Sequence, residues 1–394
     1  MSLVMLPMIL TPAFNMVFTI MVAREVSLSV YGVFSYVMTL IYLVIGFSDL
    51  GLRDYFLSKK GKDKDYSSAS TLASFTSVNF IILAIVLCSY LSEEENSSYK
   101  LIFISLLAEA FAMAVIHKSI YYVYQSANKL SNFSKIDAIL RVLPITTKMV
   151  FFVVAGHLVE ALLVGSMVAL LIYSLWFLKI VNYKEIKNKA RNIKYDFKIL
   201  IRDWKEWSLF TLSFFSYFLY FGADKLVIKY IVGVDGLAIY AAAMSFMAIG
   251  QIVVGVLWSL YMPRLSRGEQ LWGYKRFVLG LVAAGLLVAC FFQVFSSIVF
   301  KCLYPESYDY AGYILSISSL YFLFRMPNVI LEIYCVIDDE YERFVKLRLC
   351  LGVLSIILSV LIIPSVGVIG ASYALVLSEM LLTISLLIGR KHLR

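Results

Sequence analysis

Residues 21–56, "MVAREVSLSVYGVFSYVMTLIYLVIGFSDLGLRDYF", contain two apolar runs that are separated by one charged pair, Arg24 and Glu25. The second run is long enough to cross a membrane as a helix, since about 20 helical residues span the roughly 30 Å hydrocarbon core. It ends in an Asp-Leu-Gly-Leu-Arg motif at 49–53, where charge returns. Apolar runs joined by short charged turns are typical of a chain that crosses a membrane several times.

The composition extends this interpretation to the whole chain. Of the 394 residues, 61% are apolar and 15% are charged, whereas ordinary soluble domains are about 25% charged. We therefore predict an all-α polytopic membrane protein with twelve transmembrane helices. The predicted spans are 3–23, 33–52, 69–91, 101–118, 136–155, 158–178, 208–231, 238–262, 277–300, 309–335, 347–363 and 367–389.

The positive side chains are distributed unevenly between the loops. With the N-terminus inside, 27 of the 35 Lys and Arg residues lie in the even-numbered loops and the C-terminal tail, if Lys118 and Arg348 at the span ends are counted with the loops they border, and three lie in outside loops. This positive-inside bias predicts that both termini are cytoplasmic. The net charge of +9 is explained by these cytoplasmic Lys and Arg residues. We therefore expect the positive charge to interact with anionic membrane lipid rather than with nucleic acid.

The longest polar segment, residues 181–207, divides the predicted spans into six and six. Its apolar residues recur at helical spacing, which predicts either an amphipathic helix on the cytoplasmic surface or a solvated linker. We predict an N-terminal lobe at 1–180 and a C-terminal lobe at 208–394. A Gly-x-x-x-Tyr motif near the second and eighth spans, at 32–36 and 236–240, agrees with the repeated halves that are common in transporters.

No constellation typical of catalysis or of metal binding is evident in the sequence. The five cysteines and three histidines are scattered along the chain, without the spacing of a disulfide framework or of a zinc site. Nor is there a recognisable pairing of nucleophile, base and orienting group. We therefore predict a transporter rather than an enzyme, with no metal and no cofactor.

Three segments resemble a known family. Residues 22–57 contain an Arg, a short turn, Tyr-Gly-x-Phe and then Asp-Leu-Gly; residues 221–243 contain Asp-Lys followed by Gly-x-x-x-Tyr-x-x-Ala; and 262–267 reads "MPRLSR". In this order the motifs resemble the polysaccharide exporters of the MOP superfamily. The twelve predicted spans also fit that family, so the resemblance covers nearly the whole chain.

The resemblance implies a Wzx-type flippase in the bacterial cytoplasmic membrane, with two pseudo-symmetric six-helix lobes. Its substrate would be an undecaprenyl-diphosphate-linked oligosaccharide, moved by alternating access to the outer leaflet for O-antigen (lipopolysaccharide) or related polysaccharide assembly. Polysaccharide polymerase and other assembly proteins are the implied partners. Family members usually have a basic segment before the first span, so we expect the natural start to lie upstream of Met1.

Ionisable residues within the spans are the candidate site, because an unpaired charge is costly in hydrocarbon. Lys and Arg side chains suit a diphosphate, since they replace its counterions and hydration. Arg141 and Lys148 are seven residues apart, and Lys225 and Lys229 are four apart, so each pair shares a helix face. Arg325 lies two residues before a proline. We predict that these five cations bind the substrate.

Acidic residues in the spans have a different predicted role. Asp224, Glu109 and Glu379 are expected to couple transport to H⁺ or Na⁺. Asp49 and Arg53, four residues apart, are expected to form a local ion pair.

Roles without substrate contact stay open for four of the five cations. Arg141 and Lys229 lie near span ends, where they could snorkel to the surface. Lys148 and Arg325 could instead form internal ion pairs with Glu109 or Glu379.

Two other functions also stay open. A cation-coupled drug or small-molecule antiporter of the same superfamily would have a cavity dominated by acids, whereas the charges here are mixed. A membrane-embedded polysaccharide polymerase would need a large outside loop, but the predicted outside loops are short.

Overall fold

A computed structural model describes residues 2–57, 69–92, 97–127, 129–180, 193–266, 274–338 and 340–388. Within these ranges the chain is almost entirely helical and contains no strand. The fold class predicted from composition and periodicity is confirmed.

The first nine helices vary in length, and a π-helical segment at Ala112–His117 joins the fifth to the sixth. They are α1 (Ser2–Glu25), α2 (Leu28–Phe47), α3 (Leu52–Leu57), α4 (Ala69–Ser92), α5 (Ser97–Phe111), α6 (Lys118–Ser126), α7 (Leu130–Ala155), α8 (Leu158–Ile180) and α9 (Ile193–Arg202). The later helices are α10 (Trp204–Phe221), α11 (Ala223–Ile231), α12 (Val234–Ser266), α13 (Tyr274–Leu303), α14 (Asp309–Ser319), α15 (Tyr321–Ile337), α16 (Tyr341–Val366) and α17 (Ile369–Ile388).

Eleven helical segments in the described ranges are long and apolar enough to cross a membrane. They match eleven of the twelve predicted spans and confirm a multi-pass membrane protein. The remaining span, predicted at 208–231, is interrupted: α10 ends at Phe221, and α11 begins at Ala223. Gly222 lies between them with a non-helical φ of −125°, as expected of the residue type that destabilises helix interiors most after proline.

The chain packs into two compact units. The first unit comprises Met1–Phe18 and Val37–Phe215, and the second comprises Thr19–Tyr36 and Ser216–Arg394. Helices α1, α2 and α10 therefore contribute residues to both units. The predicted lobes at 1–180 and 208–394 stay a prediction, and residues 181–192 of the predicted linker lie outside the described residues.

The Asp-Leu-Gly motif forms a tight turn between α2 and α3. Leu50 and Gly51 both have positive φ, 46° and 70°, so the helical spacing is broken there. As a result, the predicted pair between Asp49 and Arg53 is wrong. Asp49 Oδ1 instead accepts a hydrogen bond from Lys118 Nζ at 3.0 Å, and Arg53 bonds its neighbour Asp54 at 2.8 Å.

This turn lies against the start of α10 within the first unit. Thr211 donates from Oγ1 to the carbonyl of Leu50 at 2.5 Å, and the Tyr55 hydroxyl donates to Glu206 at 2.5 Å. A Cβ atom on Gly51 would lie 2.6 Å from Cβ of Phe210. Around the turn, α3, α4, α6 and α9 enclose a buried apolar cluster of Leu52, Tyr55, Phe56, Leu72, Phe75, Tyr122 and Leu200.

The variant Gly51→Ala should lower the free energy of unfolding by about 2–5 kcal/mol, because left-handed backbone strain adds to a clash with Phe210. Gly156→Ala is the matched control. Gly156 has a similar φ of 72°, but nothing lies within 4 Å of its added Cβ, so only the strain of about 1–2 kcal/mol is expected. Thermal unfolding in detergent measures both. Equal losses would mean that the close approach to Phe210 contributes nothing.

Candidate functional site

In the first unit, Lys148 of α7 and Glu109 of α5 form an ion pair in which the lysine is buried and the glutamate is half-buried. The Lys148 Nζ donates to Glu109 Oε2 at 2.5 Å, and Lys148 is only 4% exposed. Its aliphatic stem lies over Gly165 of α8, where an added Cβ would come 2.2 Å from Cγ of Lys148. The missing side chain at Gly165 therefore makes room for the lysine. Lys148 and Glu109 meet, as the internal-pair alternative expects.

Arg141, seven residues before Lys148, has a different acid. Its Nε donates to Asp137 Oδ1 at 3.0 Å, one turn earlier on α7. The same oxygen lies 2.5 Å from Nε2 of His117, at the end of the π-helical segment. Because an ionised carboxylate only accepts hydrogen bonds, this His117 nitrogen carries the proton. The two cations that share a helix face thus belong to two separate polar clusters.

In the second unit, Arg325 of α15 lies in a buried network of charges. Its guanidinium makes a two-pronged bond with Glu332 and lies 3.6 Å from Glu379 of α17. The amide of Asn328 donates to Glu379 at 2.8 Å, and Arg348 of α16 lies 3.9 Å from Glu332. All five side chains are buried. Two cations and two acids therefore balance each other in this network.

The short helix α11 brings three more predicted residues together. Asp224, buried in its first turn, accepts a hydrogen bond of 2.5 Å from the Tyr240 hydroxyl, and its other oxygen accepts one from the Lys225 amide. Lys225 is half-buried. Lys229 lies over two aromatic rings, those of Tyr36 at 4.9 Å and Tyr230 at 4.6 Å. Its ammonium is thus held by cation–π contacts within the second unit.

Several members of these clusters were not among the predicted site residues. Spacing could have indicated two of them, since Asp137 precedes Arg141 by four residues and Glu332 follows Arg325 by seven. Arg348 lies at the border of the predicted span 347–363 and is counted with the loop before it, but it is buried and its guanidinium lies 5.5 Å from the ring of Tyr217. The missed residues are His117, Asp137, Asn328, Glu332 and Arg348.

Chemically, three of these clusters, around Lys148, Arg141 and Arg325, are charge-balanced polar sites in apolar surroundings. Each buried carboxylate named above lies beside a cation of its own unit, which reduces the cost of burying both. A lysine held in this way, or an arginine whose terminal nitrogens are occupied, can bind an anion only if its carboxylate partner is neutralised or moves away. Among the described residues, no group of three His, Cys, Asp or Glu side chains could hold a metal ion.

Sequence comparisons identify one family. A family model described as "Polysaccharide biosynthesis protein" matches residues 1–269. No curated protein sequence matches the chain.

Solved structures resemble the chain over nearly its whole length. The lipid II flippase MurJ, in an inward closed conformation, has a TM-score of 0.72 at 12% identity and covers 99% of this chain and 87% of its own. An inward-facing multidrug resistance MATE transporter of the MOP superfamily has a TM-score of 0.68 at 17% identity, with coverages of 96% and 93%.

A MOP superfamily transporter from Pyrococcus furiosus, described as having reversed polarity of its binding pocket, also resembles the chain. It has a TM-score of 0.61 at 14% identity, with coverages of 98% and 94%. At these identities the likeness shows a shared fold, the one that these flippases and transporters have in common.

Proposed function

The chain belongs to the polysaccharide biosynthesis protein family, and from this premise we propose that it is a flippase for undecaprenyl-diphosphate-linked oligosaccharides. It works in the bacterial cytoplasmic membrane and supplies repeat units of O-antigen or a related surface polysaccharide to the polymerase and other assembly proteins. Transport follows alternating access, in which the two halves open first to one leaflet and then to the other.

One observation supports this proposal most directly: each unit contains a buried cation that is held by a carboxylate. Lys148 is bonded to Glu109, and Arg325 is bonded to Glu332 and lies 3.6 Å from Glu379. A diphosphate oxygen can occupy the place of a carboxylate oxygen, because both accept charge-assisted hydrogen bonds from Lys and Arg. In its own unit, each of Lys148 and Arg325 can therefore bind a diphosphate oxygen by exchanging partners.

The acids supply the coupling in this mechanism. A proton on Glu109 removes the charge that holds Lys148, and the lysine becomes free for the substrate. Arg325 is held by Glu332 as well as Glu379, so a proton on Glu379 weakens the hold on Arg325 without removing it. Asp224 accepts a hydrogen bond from the backbone amide of Lys225, and a proton on Asp224 removes the negative charge next to that lysine. Sodium bound to one of these carboxylates would have the same effect as a proton. Arg141 and Lys229 contact the substrate nearer the ends of their spans.

A cation-coupled drug antiporter is the second candidate. Its supporting observation is the number of buried acids, Asp224, Glu332 and Glu379, in the second unit, together with the MATE transporters among the similar structures. In such a carrier the acids would bind a cationic drug directly. A membrane-embedded polymerase is a weaker candidate, because the similar structures are those of flippases and transporters.

Leaflet-specific labelling of the lipid-linked repeat unit tests the proposed function. Cells that lack the protein, and any redundant carrier, should accumulate the repeat unit on the cytoplasmic face, and the wild-type gene should restore the outer-leaflet pool. Efflux of a fluorescent cationic drug, measured in the same strains, tests the second candidate. If cells that lack the protein show an unchanged leaflet distribution but lose drug efflux, the protein is an antiporter and the flippase proposal is wrong.

A further inference from the structure

A pocket in the first unit opens beside the start of α1. It is lined by side chains of α1, α6 and α7, and its walls combine apolar and ionisable groups. The lining residues are Pro7, Met8, Tyr121, Phe133, Ser134, Asp137 and Arg141. By the distribution of Lys and Arg, this end of the unit is predicted to be cytoplasmic.

The guanidinium of Arg141 is held in a fixed orientation at this pocket. Its Nε bonds Asp137, whose same oxygen also bonds His117. Among the described residues no other acceptor is bonded to Arg141, so its two terminal nitrogens are available to a ligand. Two parallel N–H donors of this kind fit the oxygens of a phosphate.

A second arginine adds positive charge next to the pocket, although it does not line it. The guanidinium of Arg53 lies 5.8 Å from the centre of the Tyr121 ring, which lines the pocket. Arg53 belongs to the Asp-Leu-Gly-Leu-Arg motif, and the tight turn at Gly51 places it there rather than beside Asp49. Asp54, its partner, is more than half exposed, so water screens that carboxylate.

The other walls indicate what kind of phosphate the pocket takes. Pro7, Met8 and Phe133 provide an apolar side, and Met8 is 43% exposed. Exposed apolar residues continue along α1 at Leu6 and Ile9. In a helix that faces hydrocarbon, such a strip accommodates an acyl or prenyl chain. Inorganic phosphate has no apolar part and would not contact this strip.

We propose that this pocket binds the phosphate-bearing headgroup of a membrane lipid, with Arg141 at the phosphate, Arg53 adding positive charge next to Tyr121, and the lipid chain along α1. Asp137 and His117 are positioning residues that fix the guanidinium of Arg141. The proposal does not require the flippase function, because ordinary phospholipids and polyprenyl diphosphates present the same chemical group.

Native mass spectrometry of the purified full chain tests the site. The probes are phosphatidylglycerol, undecaprenyl diphosphate and, as a baseline without phosphate, diacylglycerol. Arg141→Gln should weaken binding of the phosphate-bearing lipids about tenfold or more, as expected for lost charge-assisted hydrogen bonds. The affinity of Arg141→Lys for these lipids should lie between those of the wild type and Arg141→Gln, since lysine keeps the charge but lacks the two parallel donors of the guanidinium. Lys135→Gln removes an exposed charge from the same helix and is the matched control.

A second pair of variants avoids the buried cluster. Met8→Asp introduces a negative charge at an exposed position of the wall and should weaken binding of both phosphate lipids, whereas Met8→Asn should leave it nearly unchanged. If Met8→Asp and Met8→Asn bind the phosphate lipids equally well, the lipid does not lie along α1 and the proposed placement is wrong.

The remaining outcomes separate the possible occupants. If Arg141→Gln weakens binding of both phosphate lipids, the pocket is a general site for lipid phosphate. If it weakens binding of undecaprenyl diphosphate alone, the pocket is a site for the transported lipid. Equal affinities of Arg141→Gln and Lys135→Gln would overturn the proposal. So would displacement of lipid from the wild type by inorganic phosphate at equal concentration, because the occupant would then be free phosphate. Leaflet labelling tests the flippase function independently of all these results.

Discussion

Lys148→Ala is expected to reduce the outer-leaflet pool of the lipid-linked oligosaccharide roughly 100-fold or more, while the protein stays in the membrane. The expected loss follows from removing a charged hydrogen-bond donor that is desolvated in the first unit, which is typically worth about 3 kcal/mol. Leaflet labelling measures transport, and immunoblotting of membrane fractions measures the protein. Lys179→Ala, which removes an exposed cation of the same unit, is the matched control and should transport normally.

Three further variants separate substrate binding from charge balance. If Lys148 only neutralised Glu109, the double variant Lys148→Ala/Glu109→Ala would transport as well as Glu109→Ala alone, because neither variant has an acid left to neutralise. If Lys148 binds the diphosphate, the double variant transports less than Glu109→Ala alone. Lys148→Arg should retain part of the activity. Transport by the double variant equal to that of Glu109→Ala would refute a binding role for Lys148 and leave it a structural ion pair.

Arg325→Met should cause the largest loss of stability, about 3–5 kcal/mol in the free energy of unfolding. It leaves Glu332 and Glu379, which are 2% and 1% exposed, without their principal cation. Burying carboxylates without a partner is costly even when their hydrogen bonds to other groups remain. Thermal unfolding in detergent, and resistance of the membrane-embedded chain to proteolysis, measure the effect.

The matched control is Arg343→Met on α16, whose side chain is 61% exposed and whose loss should change stability little. Adding Glu332→Gln to Arg325→Met removes one of the stranded charges and should restore part of the lost stability. If Arg325→Met unfolds at the same temperature as Arg343→Met, the buried network contributes nothing to folding.

The spans could be predicted from sequence because the bilayer imposes a length and an apolar composition on each of them. The predicted spans at 158–178 and 277–300, for example, agree with Leu158–Ile180 and Arg276–Leu303. The break at Gly222 was missed because a window of average hydropathy does not detect the conformation of one residue. The turn at Gly51 was missed for the same reason, and the erroneous Asp49–Arg53 pair followed from it.

The buried charges could be found from sequence, but most of their partners could not. Lys148 and Arg325 stand out in apolar runs because charge is rare there. The contact between Lys148 and Glu109 joins residues 39 positions apart, and local spacing does not encode it. The position of Arg348 was misjudged for a different reason: a cation near the end of a span is equally compatible with a loop and with a buried network.

The balance of charge within each unit has a consequence for the electrical behaviour of transport. Moving one elementary charge through a membrane potential of 100 mV changes its energy by about 2.3 kcal/mol. Lys148 with Glu109, and Arg325 and Arg348 with Glu332 and Glu379, add no net charge. In the proposed transport cycle, the potential therefore exerts little force on these clusters, and it acts through the charges of the proposed cargo and of the proposed coupling ion.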